Sequence, residues 1–213
     1  MLRTHKSLLA LCLLAASSTA MAASTAQITV TGQVLPTACT PSFANNGAIE
    51  YDNLSHGDLN ADTSKFTNLA TKNLGFTINC TSATALATTW VDNKPDHNDI
   101  PSHVSYFGFG KDASSNPIGR LWVQYRGSTA QGDGEPVDVI HSLDKQSWEK
   151  NAYGQVSKVH YTSFAAVGET TPKAFTTYSG DMQLKPIVRP TAQMDMSGAL
   201  EIDSSITMEV VYL

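Results

Sequence analysis

The sequence predicts an all-β fold, a single β-sandwich built from many short strands. Charged residues make up only 15% of the 213-residue chain, against roughly 25% in an average soluble protein. Short segments alternate apolar and polar residues, with turn-forming residues between them. No segment keeps the 3.6-residue apolar period of a long helix. With 41% hydrophobic residues, the chain has enough apolar surface to build one core.

The individual strands are predicted from this alternation. In residues 26–35 the apolar Ile28, Val30 and Val34 share one phase with Gly32, as expected of a strand with one buried face. Further strands are predicted over residues 73–80, 103–109, 120–125, 156–164 and 181–188, with a weaker candidate over residues 48–54. Residues 92–101 and 131–136 are rich in Pro, Gly, Asn and Asp and predict a loop and a turn. Residues 142–151 are a candidate for one short helix.

The first 22 residues have the organisation of a secretory signal peptide. Arg3 and Lys6 precede an apolar run over residues 8–16, and an Ala-x-Ala site ends at Ala22. The run is shorter than the about 20 apolar residues that cross a bilayer, and no second stretch approaches that length. We therefore expect export from the cytoplasm, cleavage after Ala22, and one mature domain over residues 23–213 without a membrane span.

The cysteines predict one disulfide. Cys12 leaves with the signal peptide, so Cys39 and Cys80 remain as an even pair in an oxidising compartment. They lack the spacing of a metal site or a C-x-x-C redox motif. Closing a loop of about 42 residues stabilises a fold by roughly 4 kcal/mol in the chain-entropy view. Because both cysteines fall at strand ends or inward positions, we expect the bond to bridge the two layers of the sandwich.

The C-terminal segment carries the strongest pattern. Seven residues from Leu200 to Tyr212 share one phase, and five of the six intervening positions are polar. The pattern predicts one long strand with a buried face at the end of the chain. A strand of this kind could simply close the sheet of any β-sandwich.

Together the two termini resemble pilin-type subunits of chaperone–usher fimbriae. An alternating segment, ITVTGQVLPTAC, runs into Cys39, and LGFTINC ends at the second cysteine. The chain closes on SITMEVVYL, with Tyr next to last. The segments CTPSF and KPIVRPTAQMDMSGALEIDSSITMEVVYL look most like an uncharacterised family of enterobacterial fimbrial-like secreted proteins.

The resemblance implies an immunoglobulin-like sandwich that lacks its last strand. Among pilin-type subunits, a periplasmic pilus chaperone lends the missing strand, and the N-terminal segment of the next subunit later replaces it. Position by position, Ile206, Met208, Val210 and Tyr212 would form the strand that pairs with the chaperone or the neighbouring subunit. Ile28, Val30, Gly32 and Val34 would form the first strand or a donor segment. Only sixteen residues separate the predicted cleavage site from Cys39, which is short for a donor extension followed by a strand.

Other chemistry is poorly supported by the sequence. The formal net charge of −5 disfavours nucleic-acid binding, which needs a basic face. The histidines are scattered, G-x-S-x-G is absent, and Gly108, Gly110 and Ala113 lack the helix that a dinucleotide fingerprint requires. The acidic loop over residues 92–99 lacks the spacing of a calcium loop. We therefore expect no enzymatic activity, no cofactor and no metal, and we assign core packing to at least two of the three tryptophans.

The expected function is that of a structural fimbrial or fimbrial-like subunit, completed by donor-strand complementation and contributing to surface adhesion. Its expected partners are the periplasmic chaperone, an outer-membrane usher and other fimbrial subunits. The expected location is the periplasm, with export to a fimbrium or the cell surface. The alternative is a carbohydrate-binding adhesin or lectin-like sandwich that binds a host glycan through Trp122 or Trp148.

Overall fold

A computed structural model describes residues 38–51 and 54–213, and the fold in these residues is all-β. The strands are β1 (Cys39–Phe43), β2 (Thr67–Asn68), β3 (Lys72–Thr84), β4 (Leu86–Asp92), β5 (Tyr106–Gly108), β6 (Gly110–Lys111), β7 (Gly119–Tyr125), β8 (Gln131–Gly132), β9 (Glu135–Ser142), β10 (Glu149–Lys150), β11 (Tyr161–Ala166), β12 (Phe175–Val188), β13 (Glu201–Ile202) and β14 (Ile206–Tyr212). Short 3₁₀ turns lie at Ala44–Gly47, His56–Asp58, Pro95–His97, Gly127–Thr129 and Thr191–Gln193.

The strands form two antiparallel layers of an immunoglobulin-like sandwich. The first layer runs β1-β3-β12-β7-β5, with β2 and β8 also paired to β12. The second layer runs β10-β9-β11-β4-β14. The hairpin between β8 and β9 joins the two layers, and β6 pairs with β13 as a separate two-stranded ribbon.

The core lies between the layers and is built on aromatic side chains. Phe76 of β3 and Tyr125 of β7 both pack against Phe164 of β11, with ring centroids 6.1 and 5.5 Å apart. The buried Tyr125 hydroxyl makes a 2.7 Å hydrogen bond with the Thr88 hydroxyl of β4, and burial raises the pKa of Tyr125. Each layer therefore contributes its inward-facing residues to one shared core.

The strands predicted over residues 73–80, 120–125 and 181–188 are confirmed as parts of β3, β7 and β12. Those predicted over residues 103–109 and 156–164 are shorter, because only residues 106–108 and the stretch from Tyr161 onward are paired. The turn at residues 131–136 is confirmed as a tight hairpin, in which Asp133 and Gly134 both have positive φ. Strands β4 and β9 were not predicted at all. The strand predicted over residues 26–35 lies outside the described residues.

Three local predictions are wrong. Residues 48–51 form no strand, and Tyr51 is held instead by its side chain, which packs edge-on against Phe109 and donates its hydroxyl to the Ala70 carbonyl. Residues 142–151 form no helix, because the Asp144 carboxylate accepts backbone N–H groups from Gln146 and Ser147 in a bend instead. The long C-terminal strand is interrupted between β13 and β14, because residues 203–205 belong to neither strand.

The disulfide between Cys39 and Cys80 is present, but it does not bridge the layers. The two cysteines are directly opposite each other on the neighbouring strands β1 and β3 of one layer. Their Cα atoms are 4.0 Å apart, in a cross-strand pair that makes no main-chain hydrogen bonds of its own. The bond therefore fastens an edge strand to its own sheet.

Candidate functional site

The candidate site is a seam along one side of the sandwich, where the edge strands of the two layers face each other. We define the seam by β1 and residues 44–59 on one side, and by residues 199–205 and β14 on the other. Within the described part of the chain, β1 pairs only with β3 and β14 only with β4. Among residues 38–51 and 54–213, each strand therefore has one edge that no neighbouring strand covers.

The hydrogen-bond pattern of β14 shows which residues face that uncovered edge. Asn93 donates its backbone N–H to the Ser205 carbonyl, and Leu213 donates to the Ala85 carbonyl. Odd-numbered residues therefore make the ladder with β4, because pairs in an antiparallel ladder alternate between bonded and non-bonded. The N–H and C=O groups of the even-numbered residues point the other way, to the seam. These residues are Ile206, Met208, Val210 and Tyr212.

The side chains of the same four residues close one side of the core. Met208 is 8% exposed, and the half-buried Ile206 and Val210 pack against the core cluster. Tyr212 is half exposed. The four residues predicted as an interaction strand therefore lie together in β14, with apolar side chains inward and with main-chain groups at the seam that pair with no other strand of the described chain.

Strand β1 presents a different edge. Thr81 donates its backbone N–H to the Ala38 carbonyl, so the even-numbered residues of β1 bond with β3 and the odd-numbered ones face the seam. One of these, Pro41, has no N–H to donate. Another, Cys39, donates its N–H to the Tyr212 hydroxyl at 2.9 Å. Phe43 alone in β1 offers both a donor and an acceptor to a new strand.

A cavity of about 450 Å³ opens into the middle of the seam. Its walls combine apolar side chains of the core with polar groups. The apolar lining includes Phe43, Ile49, Tyr51, Leu74, Trp90, Phe109, Leu121, Val123, Met182, Leu184, Ile202 and Ile206, and the polar lining includes Asn46, Asp203, Ser204 and Ser205. Burial raises the pKa of Tyr51 in this wall to about 12. A chamber of this size takes several large apolar side chains.

A second, smaller cavity of about 210 Å³ continues the seam past residue 202. It shares Phe109 and Ile202 with the first cavity. Its remaining lining is almost wholly apolar and includes Leu54, Leu59, Leu69, Ile118, Val188 and Leu200, with Ser55 and His56 beside them. The apolar surface thus extends past Ile206, the first residue of β14, towards residues 199–202.

One charged residue of the seam, Asp203, contacts the loop after β4. The Asp203 carboxylate makes an ion pair with the Lys94 ammonium group, and the Asp203 carbonyl lies 2.9 Å from His97 Nδ1. These contacts hold residues 203–205 to the loop after β4 and explain the interruption of the predicted long strand.

In residues 38–51 and 54–213, no group of three or more His, Cys, Asp or Glu side chains is arranged to hold a metal ion. The fold does bring together two histidines that are distant in sequence, since the rings of His141 and His160 stack with centroids 5.1 Å apart. Burial lowers the pKa of His160, and the neighbouring His141 lowers it further. Strand pairing across β9 and β11 creates this pair, so no sequence motif could have indicated it.

The tryptophans have different environments, and only Trp90 lies in the core, at 2% exposed. The prediction of core packing for at least two is therefore wrong. Trp122 lies half-buried on the outer face of the first layer, with the Lys185 ammonium group over its ring at 5.2 Å. Trp148 is half-buried beside an open cleft and donates its indole N–H to the Lys145 carbonyl.

The predicted donor residues Ile28, Val30, Gly32 and Val34 lie outside the described residues. Along the part of the chain that the structure describes, no helix is long and apolar enough to span a membrane.

Comparison with known proteins gives similarity along nearly the whole chain. Residues 28–107 match a family described as "Protein of unknown function (DUF1120)". The "Uncharacterized protein YhcF" of Escherichia coli strain K12 is 27% identical over 227 aligned residues, which cover 91% of this chain and 93% of that protein. "Protein GltF" of the same strain is 25% identical over 240 residues, covering 96% and 94% of the two chains.

Proposed function

We propose that the chain is a structural fimbrial or fimbrial-like subunit whose seam is completed by a β-strand from another chain. One observation carries the proposal: Ile206, Met208, Val210 and Tyr212 combine inward apolar side chains with main-chain groups that face an uncovered edge. An added strand would bond to these groups, and its alternate side chains would enter the cavities between the layers. Its donors in turn would be a periplasmic chaperone and the N-terminal segment of a neighbouring subunit.

The physical need for such a strand follows from the cost of an open edge. Unpaired main-chain groups beside apolar side chains form a template for aggregation. A chaperone that covers this edge in the periplasm would keep the chain soluble until an outer-membrane usher assembles it at the cell surface. In this scheme the subunit contributes to surface adhesion as a building block and needs neither cofactor nor catalysis.

The test is to produce the chain in the periplasm alone and together with a pilus chaperone from the same genome. We expect a soluble one-to-one complex, measured by size-exclusion chromatography with light scattering, and a lower yield of soluble protein without the chaperone. The variant Val210→Pro removes an N–H group that faces the seam and should weaken the complex at least tenfold. Val210→Ala keeps that N–H group and is the matched control. A chain that stays monomeric and soluble alone, and forms no complex, would contradict the proposal.

A second candidate function is carbohydrate binding at the cleft beside Trp148. That cleft also presents Lys145, Gln146, Thr170 and Thr171, and an indole with amide and hydroxyl neighbours suits a sugar ring. Trp122 is a weaker candidate because Lys185 covers one face of its ring. Glycan-array binding that is lost in Trp148→Ala and retained in Trp122→Ala would support this function, and an array without signal would exclude it for the glycans tested.

A further inference from the structure

The seam has an open half and a closed half. Counted from the disulfide end of the seam, the first residue that lines the large cavity is Phe43 on one side and Ile206 on the other. No residue from Cys39 to Ser42 lines it, and none from Met208 to Tyr212. The two edges therefore meet at the disulfide end and diverge towards the other end of the sandwich.

A single hydrogen bond ties the two edges at the closed end. The Tyr212 hydroxyl accepts the backbone N–H of Cys39 at 2.9 Å, across 173 residues of sequence. Cys39 is held in place by its disulfide to Cys80 and by the ladder of β1 with β3. The Tyr212 end of β14 is thus fixed to a rigid point of the opposite layer through one side-chain oxygen.

This hydrogen bond occupies the Cys39 N–H, through which an added strand could otherwise pair with β1. In β1 the N–H groups that face the seam belong to Cys39 and Phe43, because Pro41 has none. With the Cys39 N–H bonded to Tyr212, a new strand cannot pair with β1 at that end. The main-chain N–H and C=O of Tyr212 itself still face the seam.

We propose that Tyr212 is a latch that holds the closed half of the seam shut and slows the entry of an added strand. The latch rests on the proposed function, since it acts on the same seam. A strand would first place its side chains in the cavity between Phe43 and Ile206, and would then pair along β14 towards Tyr212. Completion requires the Tyr212 hydroxyl to release Cys39, so the latch sets the rate of the last step.

Hydrogen exchange tests the latch in the absence of any added strand. The full chain, exported with its own leader and purified from the E. coli periplasm, is compared with Tyr212→Phe, which keeps the ring and removes only the hydroxyl. We expect the Cys39 amide to exchange about tenfold faster in the variant by NMR, the factor expected for one net hydrogen bond. The exchange of residues 72–78 in β3 should not change. Tyr153→Phe, at a tyrosine that is 76% exposed, is the matched control.

Strand uptake is measured with a fluorescein-labelled peptide of sequence AQITVTGQVL, which corresponds to residues 26–35. We expect Tyr212→Phe to bind it five- to tenfold faster than the unaltered chain and the Tyr153→Phe control. Unchanged exchange at Cys39 would overturn the latch, and so would faster exchange with an unchanged rate of uptake. If neither the unaltered chain nor Tyr212→Phe takes up peptide, strand completion by this segment fails, while the exchange result still decides whether the hydrogen bond closes the seam.

Discussion

The two strands that border the seam differ in how they protect an uncovered edge. Strand β1 has five residues, its middle three are exposed, and Pro41 interrupts its row of donors. Strand β14 has seven residues and an apolar inner face. Its four even-numbered residues all have an N–H group that faces the seam, and none is a proline. Short length and proline are features by which proteins blunt edge strands. By this comparison β1 is protected against strand addition, and β14 is the edge that can accept a new strand.

The two strands also differ in what attaches them. Only Phe43 of β1 contributes a large apolar side chain to the core, against Trp90 at a centroid distance of 6.3 Å. The ladder with β3 and the disulfide supply the rest of the attachment. Strand β14 has no covalent link, and it depends on its ladder with β4 and on Ile206, Met208 and Val210. Changes to the two strands should therefore act through different interactions.

The largest effect is expected when the disulfide is removed. The double variant Cys39→Ser with Cys80→Ser should lose about 4 kcal/mol of unfolding free energy, since a loop of about 40 residues is no longer closed. Urea unfolding followed by tryptophan fluorescence measures the change. A loss below about 1 kcal/mol would mean that packing holds β1 as firmly as it holds β14, and the contrast between the strands would fail.

The next effect concerns the inner face of β14. Met208→Ala should destabilise the fold by about 3 kcal/mol, because it leaves a cavity in the core where Met208 is 8% exposed. The neighbouring Glu209 is exposed, so Glu209→Ala should change the unfolding free energy by less than about 0.5 kcal/mol. Equal effects of the two variants in the same urea titration would show that β14 does not bury its even-numbered side chains.

A smaller effect separates the two edges of β14 itself. Val211→Pro removes an N–H group that bonds with β4 and should cost about 2 kcal/mol. Val210→Pro removes an N–H group that faces the seam, so its cost in the isolated chain should be below about 1 kcal/mol. The order of the two thermal unfolding midpoints checks this. A reversed order would mean that the N–H of Val210, and not that of Val211, bonds with β4. The proposed strand addition would then lose its basis.

The sequence predicted this fold well where the alternation of residues reflects burial directly. In β3, Leu74, Phe76 and Ile78 alternate with polar residues and are all buried. Strand β4 was missed because Leu86, Ala87 and Thr88 are all fully buried, so the two faces of the strand do not differ in polarity. A run buried on both faces carries no period-2 signal.

The sequence predicted the inward face of β14 but not the shape of the seam. The phase from Leu200 to Tyr212 correctly placed Ile206, Met208 and Val210 on an inward face. It could not place the interruption at residues 203–205, since that depends on Lys94 and His97 contacting Asp203 from another part of the chain. The bond between Cys39 and Tyr212 is likewise a contact between the two ends of the described domain, which no local pattern encodes.

The smallest expected effect is a dependence of stability on pH. It arises at His160, on the side of the second layer away from the seam. Burial, and then the neighbouring His141, lower the pKa of His160, while Glu149 opposes the shift. An unfolded chain with an ordinary histidine pKa of about 6.5 binds the proton more readily than the folded chain. The unfolding free energy should therefore fall as the pH decreases below about 6.5, and level off once the folded chain is protonated as well.

Urea midpoints measured between pH 8 and pH 5 test this dependence. His160→Gln should flatten the profile. His141→Gln should flatten it less, because burial is the larger cause of the shift. Since the histidine pair lies on β9 and beside β11, away from β14, neither variant should change the uptake of a strand at the seam. A change in strand uptake that follows the titration of His160 would contradict this expectation and would show that the two edges of the second layer are coupled.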